Sequence, residues 1–343
     1  MEVKQNTLYV TTQNCRIARD HLTLKIEVEK VVRLAVPIHH VESVCIFGQT
    51  AVTPQAAQLC WEHGVAVNFF SENGYFVGRW EGVPNTSVLL RRAQFRQADD
   101  PGRAVGIARQ MIAGKIQNSR QSIMRTAREA DTAEISQPLQ AASQELAKLL
   151  PLVKEAETVD QVRGLEGMGA NIYFSIFTSH FRQQGEDFRF TTRTRRPPLD
   201  RINCLLSFLY ALVRHDCIAG LTAVGLDPFV GFLHAERPNR PALALDLMEE
   251  FRPWLADRLA ITLINRKQIS ANDFAEREGG AVEMTDAGRK AVVKFYQERK
   301  QDRVTHPVLE QEYPIGHLML VQARILARHL RGDIPAYLPC VMK

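Results

Sequence analysis

The hydrophobic period of this chain changes once, near residue 100, and that change divides it into a small β-rich part and a larger helical part. Leu22, Leu24, Ile26 and Val28 alternate with Thr23, Lys25, Glu27 and Glu29, the period-2 pattern of a half-buried strand. Val32, Leu34, Val36 and Ile38 repeat the pattern, and residues 8–10 and 44–47 add further strands. Residues 54–63 read as a short helix between strands, and Gly74 and Gly78 punctuate the next hairpin. From Pro101 onward the period is that of helices. Val105, Ala108, Ile112, Ile116 and Ile123 fall on one stripe, with Arg103, Arg109, Lys115 and Arg120 off it. Further helices are expected over 134–156, 158–183, 199–225, 241–263, 285–303 and 309–331. The expected fold is α+β and multidomain: a β domain over 1–85, a linker over 86–100, and an all-α domain over 101–343 that carries the functional site.

No apolar run reaches the ~20 residues that a bilayer span requires. The N-terminus lacks the basic-then-apolar layout of a secretory signal. A cytoplasmic protein with no membrane partner is expected. The six cysteines are scattered without a CxxC pair, which excludes a zinc ribbon on spacing and suggests buried free thiols. The usual phosphate loop, dinucleotide fingerprint, HExxH and GxSxG motifs are absent, so the corresponding enzyme classes lose their anchors.

Positive charge is unevenly spread. Nine basic residues between Arg91 and Arg128 face only Asp99 and Asp100, and Arg189, Arg193, Arg195 and Arg196 crowd a second stretch. A third, from Arg289 to Arg303, holds six basic residues against Glu298 and Asp302. Each reads alone as a solvated face; three together favour a polyanion such as nucleic acid.

Three places carry candidate chemistry. Glu166 stands beside Gly167 and Gly169, where a backbone or ligand can approach closely. His234 follows the apolar run of 229–233. Asp246 and Glu249 share a helical face at i, i+3 spacing, with Glu250 about 100° away and expected to be solvated. Taken singly, each reads better as a surface carboxylate or a structural histidine. As a set of one histidine and two or three carboxylates with no cysteine, they suit a hard divalent cation, Mg²⁺ or the more imidazole-tolerant Mn²⁺. Beside basic stretches, that chemistry fits phosphoryl transfer on nucleic acid.

The segments LEGMGANIYF, GFLH and PALALDLMEEFRP resemble the three signature blocks of the CRISPR-associated adaptation integrases, the Cas-one family. AGKIQNSR, RRPPLDRINCLLSFLYALV and QARILARHLRGDIPAY resemble its supporting blocks, in a flavour similar to the type I-C branch. The resemblance implies an integrase that inserts short DNA duplexes (prespacers) into a repeat array by 3′-hydroxyl attack on a phosphodiester, with associated endonuclease activity. It implies Glu166, His234 and Glu249 as catalytic metal ligands, with Asp246 supporting or joining them. Homodimers flanking a Cas-two dimer on double-stranded DNA are implied as partners. Lys115, Arg193, Arg195 and Arg196 are then the expected DNA contacts. The tail at 337–341 departs from the family's aromatic ending, which puts tail-mediated contacts in question. A standalone nuclease and a non-catalytic DNA-binding scaffold are the competing readings.

Overall fold

The computed structural model describes residues 7–72, 76–80, 82, 88–181 and 186–342; Gly74 lies outside them. The chain separates into two compact units.

The first unit spans residues 1–85 and 284–301. It contains β1 (Thr7–Val10), β2 (Cys15–Asp20), β3 (Thr23–Val28), β4 (Val31–Pro37), β5 (Ser43–Phe47), β6 (Thr50–Val52), α1 (Pro54–Glu62), β7 (Ala66–Phe70) and β8 (Phe76–Trp80). These strands form two four-stranded sheets, ordered β1-β5-β7-β8 and β4-β3-β2-β6. β1, β5 and β7 run parallel and β8 antiparallel to β7. Leu8, Val10, Ile17, Leu24, Ile26, Val44, Ile46, Leu59 and Val67 make one apolar core, the driving term for a unit this small. Alternation therefore predicts β3 correctly. In β4 it misleads: Val32 and Leu34 are 44% and 48% exposed, in an edge strand whose apolar side chains are left uncovered among the described residues.

A helix distant in sequence completes this unit. It is α9 (Asp286–Gln301), expected in the helical domain but held beside β1, where Gln297 Nε2 donates to Thr7 O at 2.8 Å.

The second unit spans 86–283 and 302–343. The stretch expected as a linker holds α2 (Val88–Ala98). Two buried glutamines fasten this helix: Gln94 Nε2 donates to the carbonyls of Asp227 and Val230, and Gln97 Nε2 to that of Leu330. The long α3 (Pro101–Arg128) starts at Asp100, whose carboxylate caps two amides, with Pro101 at the tolerated first position. α4 (Ala133–Glu155) follows, and α5 (Val159–Ser175) opens with a Thr158–Gln161 capping box. α6 (Arg201–Val224) is long and apolar enough to cross a membrane, yet 78% of its apolar window is buried inside the protein.

The helix expected over 241–263 is interrupted. α7 (Ala242–Met248) gives way to a turn, then a π-helical turn over Arg252–Asp257, then α8 (Arg258–Asn265). Pro253, with no N–H, cannot continue the α ladder. Short antiparallel pairs, β9 (Phe274–Glu276) with β10 (Val282–Met284) and β11 (Arg303–Thr305) with β12 (Glu312–Pro314), precede α10 (Leu318–Arg331). All six cysteines are buried and free, as their spacing suggests.

Candidate metal centre

Four elements of the second unit bring the candidate residues together. His234 lies in the loop between α6 and α7, Glu249 at the end of α7, Glu166 within α5 and Lys115 on α3. The loop is shaped by Asp246. This fully buried carboxylate accepts backbone hydrogen bonds from Phe232 N at 2.6 Å, Leu233 N at 3.0 Å and His234 N at 2.9 Å. Its Oδ1 also lies 2.7 Å from His234 Nδ1. An ionised carboxylate only accepts, so Nδ1 carries the proton and Nε2 keeps its lone pair. Nε2 in turn lies 3.8 Å from Glu249 Oε1. Gly231 makes the arrangement possible: a Cβ there would fall 2.7 Å from Asp246 Oδ2 and 2.8 Å from the Ala242 carbonyl carbon.

Glu249 is 1% exposed. Burial alone would raise its pKa, but the charges of Arg252 and Lys115, with the His234 imidazole beside them, outweigh that and bring it to about 2. Arg252 Nη1 is 3.1 Å from Glu249 Oε1, and its guanidinium sits over the Tyr210 ring at 4.8 Å. The Lys115 ammonium lies 2.7 Å from Glu249 Oε2 and pairs closely with Glu166 Oε1 as well. One cationic atom thus bridges the two carboxylates. Among the described residues no three His, Cys, Asp or Glu side chains stand at metal-ligand spacing. Carboxylates gathered around an ammonium stand farther apart than around a divalent ion, whose oxygen ligands lie at ~2.1 Å. The donor set, a free imidazole nitrogen and two carboxylates, fits Mn²⁺ or Mg²⁺ once the ammonium gives way.

Several expectations change here. Glu250 is fully buried, not solvated: it accepts from Tyr337 Oη at 2.5 Å, Cys340 N at 2.8 Å and Gln322 Nε2 at 3.0 Å. Burial pushes its pKa up to about 7 against those hydrogen bonds. The tail therefore packs behind the site, clamped further by Asn118, whose Nδ2 donates to the carbonyls of Glu250 and Cys340. Glu166 stands in the second turn of α5 rather than at its start. A Cβ on Gly167 would meet open space, and one on Gly169 only ordinary van der Waals neighbours.

Of the four expected DNA contacts, Arg195 and Arg196 are exposed. Arg193 is engaged internally by Asn203 Oδ1 at 2.7 Å and Ser207 Oγ at 3.0 Å, and Lys115 by the two glutamates. Arg252 was missed, although its position three residues after Glu249 was a readable signal. A larger groove of about 930 Å³, lined by Arg103, Arg109, Lys154, His329 and Arg331 among others, holds none of the candidate ligands.

The family model described as "CRISPR associated protein Cas1" matches residues 8–298. A curated relative from Moorella thermoacetica, the CRISPR-associated endonuclease Cas1 1, is 46% identical over 339 residues, covering 99% of each chain. Among solved structures, a casposase bound to integration product superposes with a TM-score of 0.84 at 22% identity, covering 98% of this chain and 93% of that one. A Cas6-RT-Cas1–Cas2 complex gives 0.83 at 24% identity, covering 99% of this chain and 36% of that one. The structural likenesses speak for the fold, and the family match with a full-length relative goes further: this chain belongs to the CRISPR-associated Cas1 family.

Proposed function

We propose that this chain is a metal-dependent DNA integrase of CRISPR adaptation, joining the 3′-hydroxyls of short DNA duplexes to a repeat array, with associated DNA endonuclease activity. One observation carries the reading: the Asp246–His234–Glu249 relay meets Glu166 at the Lys115 ammonium, in a member of a family whose Moorella relative is named an endonuclease.

Glu166, His234 and Glu249 would hold Mn²⁺ or Mg²⁺. When bound, the cation would neutralise charge on the phosphate oxygens and ease deprotonation of the attacking hydroxyl. The protein's own residues prepare the site. Asp246 fixes the His234 tautomer and ring orientation, so Nε2 is presented without reorganisation. Arg252 and Lys115 keep Glu249 ionised and offset the repulsion between two carboxylates and an approaching phosphodiester. No side chain need form a covalent intermediate, because a 3′-hydroxyl attacking in line completes the exchange of one phosphodiester for another.

The partners of this reading are prespacer and repeat DNA, a second copy of the chain, and a Cas2 dimer, the last supported by the likeness to a Cas1-containing complex with Cas2. The similarity of the signature blocks to the type I-C branch supports that branch for this reading, and a DNA repeat array as substrate supports the cytoplasm. The test supplies a 3′-hydroxyl duplex, a supercoiled repeat plasmid, the Cas2 partner and Mn²⁺. Covalently joined product is expected, and His234→Ala abolishes it while keeping most duplex binding, which comes from dispersed phosphate contacts. Nicked plasmid without joined product would instead favour a standalone nuclease. Joining by the variant would remove this site, and activity in excess EDTA would remove the metal.

A further inference from the structure

Two guanidiniums share one tyrosine ring beside this centre. Arg252 Cζ lies 4.8 Å and Arg193 Cζ 5.4 Å from the ring centroid of Tyr210, on α6. The Nε atoms of both arginines are buried and have no hydrogen-bond partner. The electron-rich ring face attracts a cation that lacks such a partner, and does so most strongly away from water. The ring is itself fixed, because Tyr210 Oη donates to Asp257 Oδ1 at 2.7 Å and Asp257 is 1% exposed. Burial lowers the pKa of each guanidinium, and the Asp257 carboxylate is among the charges that oppose it.

The π-helical turn lets one tyrosine meet both residues at its ends. Arg252 and Asp257 stand five positions apart, which on an α-helix is ~140° around the axis. Here the turn is wider, and Ala256 N reaches back to Phe251 O at 3.4 Å. Arg252 and Asp257 therefore meet the same residue of α6, one at its ring and the other at its hydroxyl. On its far end Arg252 pairs with Glu249 Oε1 at 3.1 Å. Tyr210, Arg252 and Asp257 line one crevice with Lys115 and Glu166.

We propose that Tyr210, anchored by Asp257, is a positioning residue for strand joining: its ring seats the Arg252 guanidinium against Glu249 before DNA arrives. The proposal deepens the integrase reading and rests on it for the step that is served. The hydroxyl is committed to Asp257, so Tyr210 acts through Arg252 and not as a nucleophile.

Two substitutions separate ring from hydroxyl: Tyr210→Phe keeps the ring and Tyr210→Leu removes it. Joining of a 3′-hydroxyl duplex to a supercoiled repeat plasmid is followed in Mn²⁺ with the Cas2 partner, over a range of duplex concentration. Tyr210→Leu should lose about tenfold in kcat with KM within about twofold of wild type, the pattern of an interaction spent in the transition state. Tyr210→Phe should recover most of that loss. A second readout uses neither metal nor DNA: ¹H–¹⁵N spectra of the arginine Nε–H groups in EDTA. The Arg252 signal, assigned with Arg252→Lys, should be displaced upfield by the ring in wild type and in Tyr210→Phe, and not in Tyr210→Leu. Asp257→Leu, which removes the anchor, should move it part of the way. A wild-type Arg252 signal at the ordinary position would overturn the seating even if Tyr210→Leu does not fold. So would full kcat in Tyr210→Leu, or a Tyr210→Phe as impaired as Tyr210→Leu, since the hydroxyl would then carry the function. A wild type with the displaced signal that joins no DNA in Mn²⁺ would remove the integrase reading and leave the seating of Arg252 standing.

Discussion

Asp246 grips His234 twice with one oxygen: Oδ1 accepts from the His234 backbone N–H at 2.9 Å and from Nδ1 at 2.7 Å. Ring and backbone are thus referred to the same buried atom, and the direction of Nε2 follows from the position of α7. The consequence is that an acid spaced like a ligand serves as the support of one.

Replacing Asp246 by Asn should therefore damage metal binding more than DNA binding. The amide keeps one acceptor, but its nitrogen must face donors that the second carboxylate oxygen now satisfies. Loss of an orienting partner typically costs 10–100-fold in metal affinity. Calorimetric titration of Mn²⁺ into the folded variant measures it. An affinity equal to wild type would mean that His234 is oriented by something else.

Gly231→Ala tests the same geometry from the other side. The added Cβ meets Asp246 Oδ2 and the α7 backbone below 3 Å, so the 231–234 loop must move outward. A destabilisation of about 1–3 kcal/mol is expected, with joining reduced at least tenfold because the loop carries His234. Denaturant unfolding and the joining assay read the two effects. A variant as active as wild type would show that the close approach is incidental.

Much of this centre was readable in the sequence, and the unread part has a common cause. The shared face of Asp246 and Glu249 follows from helical spacing, and both do face His234. Glu250 was misjudged because spacing describes one helix and says nothing of what covers it; here the tail at Tyr337 and Cys340 does. Periodicity likewise extended α7 through Pro253, where the π-helical turn changes which residues face the site. Basic residues count equally in a sequence, yet Lys115 and Arg193 are engaged internally while Arg195 and Arg196 are exposed. The β domain was legible where strands are covered on one face, as in β3. It was not at the β4 edge, nor in α9, which joins the first unit across about two hundred residues of sequence.

A pH effect should come from Asp257, the buried last residue of the π-helical turn, with Oδ1 accepting from Tyr210 Oη at 2.7 Å. Burial raises its pKa from 3.8 to about 6, against the hydrogen bond from Tyr210 and the charge of Arg252. A carboxyl whose folded pKa exceeds its unfolded one contributes stability fully below the unfolded value. That contribution is lost as pH rises towards about 6. Asp257→Asn lacks this titration while keeping an acceptor for Tyr210. Its stability relative to wild type should therefore rise by about 2 kcal/mol between pH 4 and pH 6.5. Urea unfolding across that range checks it, and a difference independent of pH would rule the titration out.

Lys115 yields the prediction that separates a DNA contact from an internal counter-ion. Its side chain is 11% exposed and its ammonium serves both Glu166 and Glu249. Lys115→Met keeps the aliphatic bulk and leaves the two carboxylates with Arg252 as the remaining close cation. Removing one partner from a buried ion cluster costs about 3–5 kcal/mol, so melting in EDTA should fall by roughly 10 °C. Mn²⁺ should then raise the melting temperature of the variant more than that of wild type, because no ammonium has to be displaced before the cation binds. Were Lys115 chiefly a DNA contact, melting in EDTA would be unchanged and Mn²⁺ would shift both proteins equally.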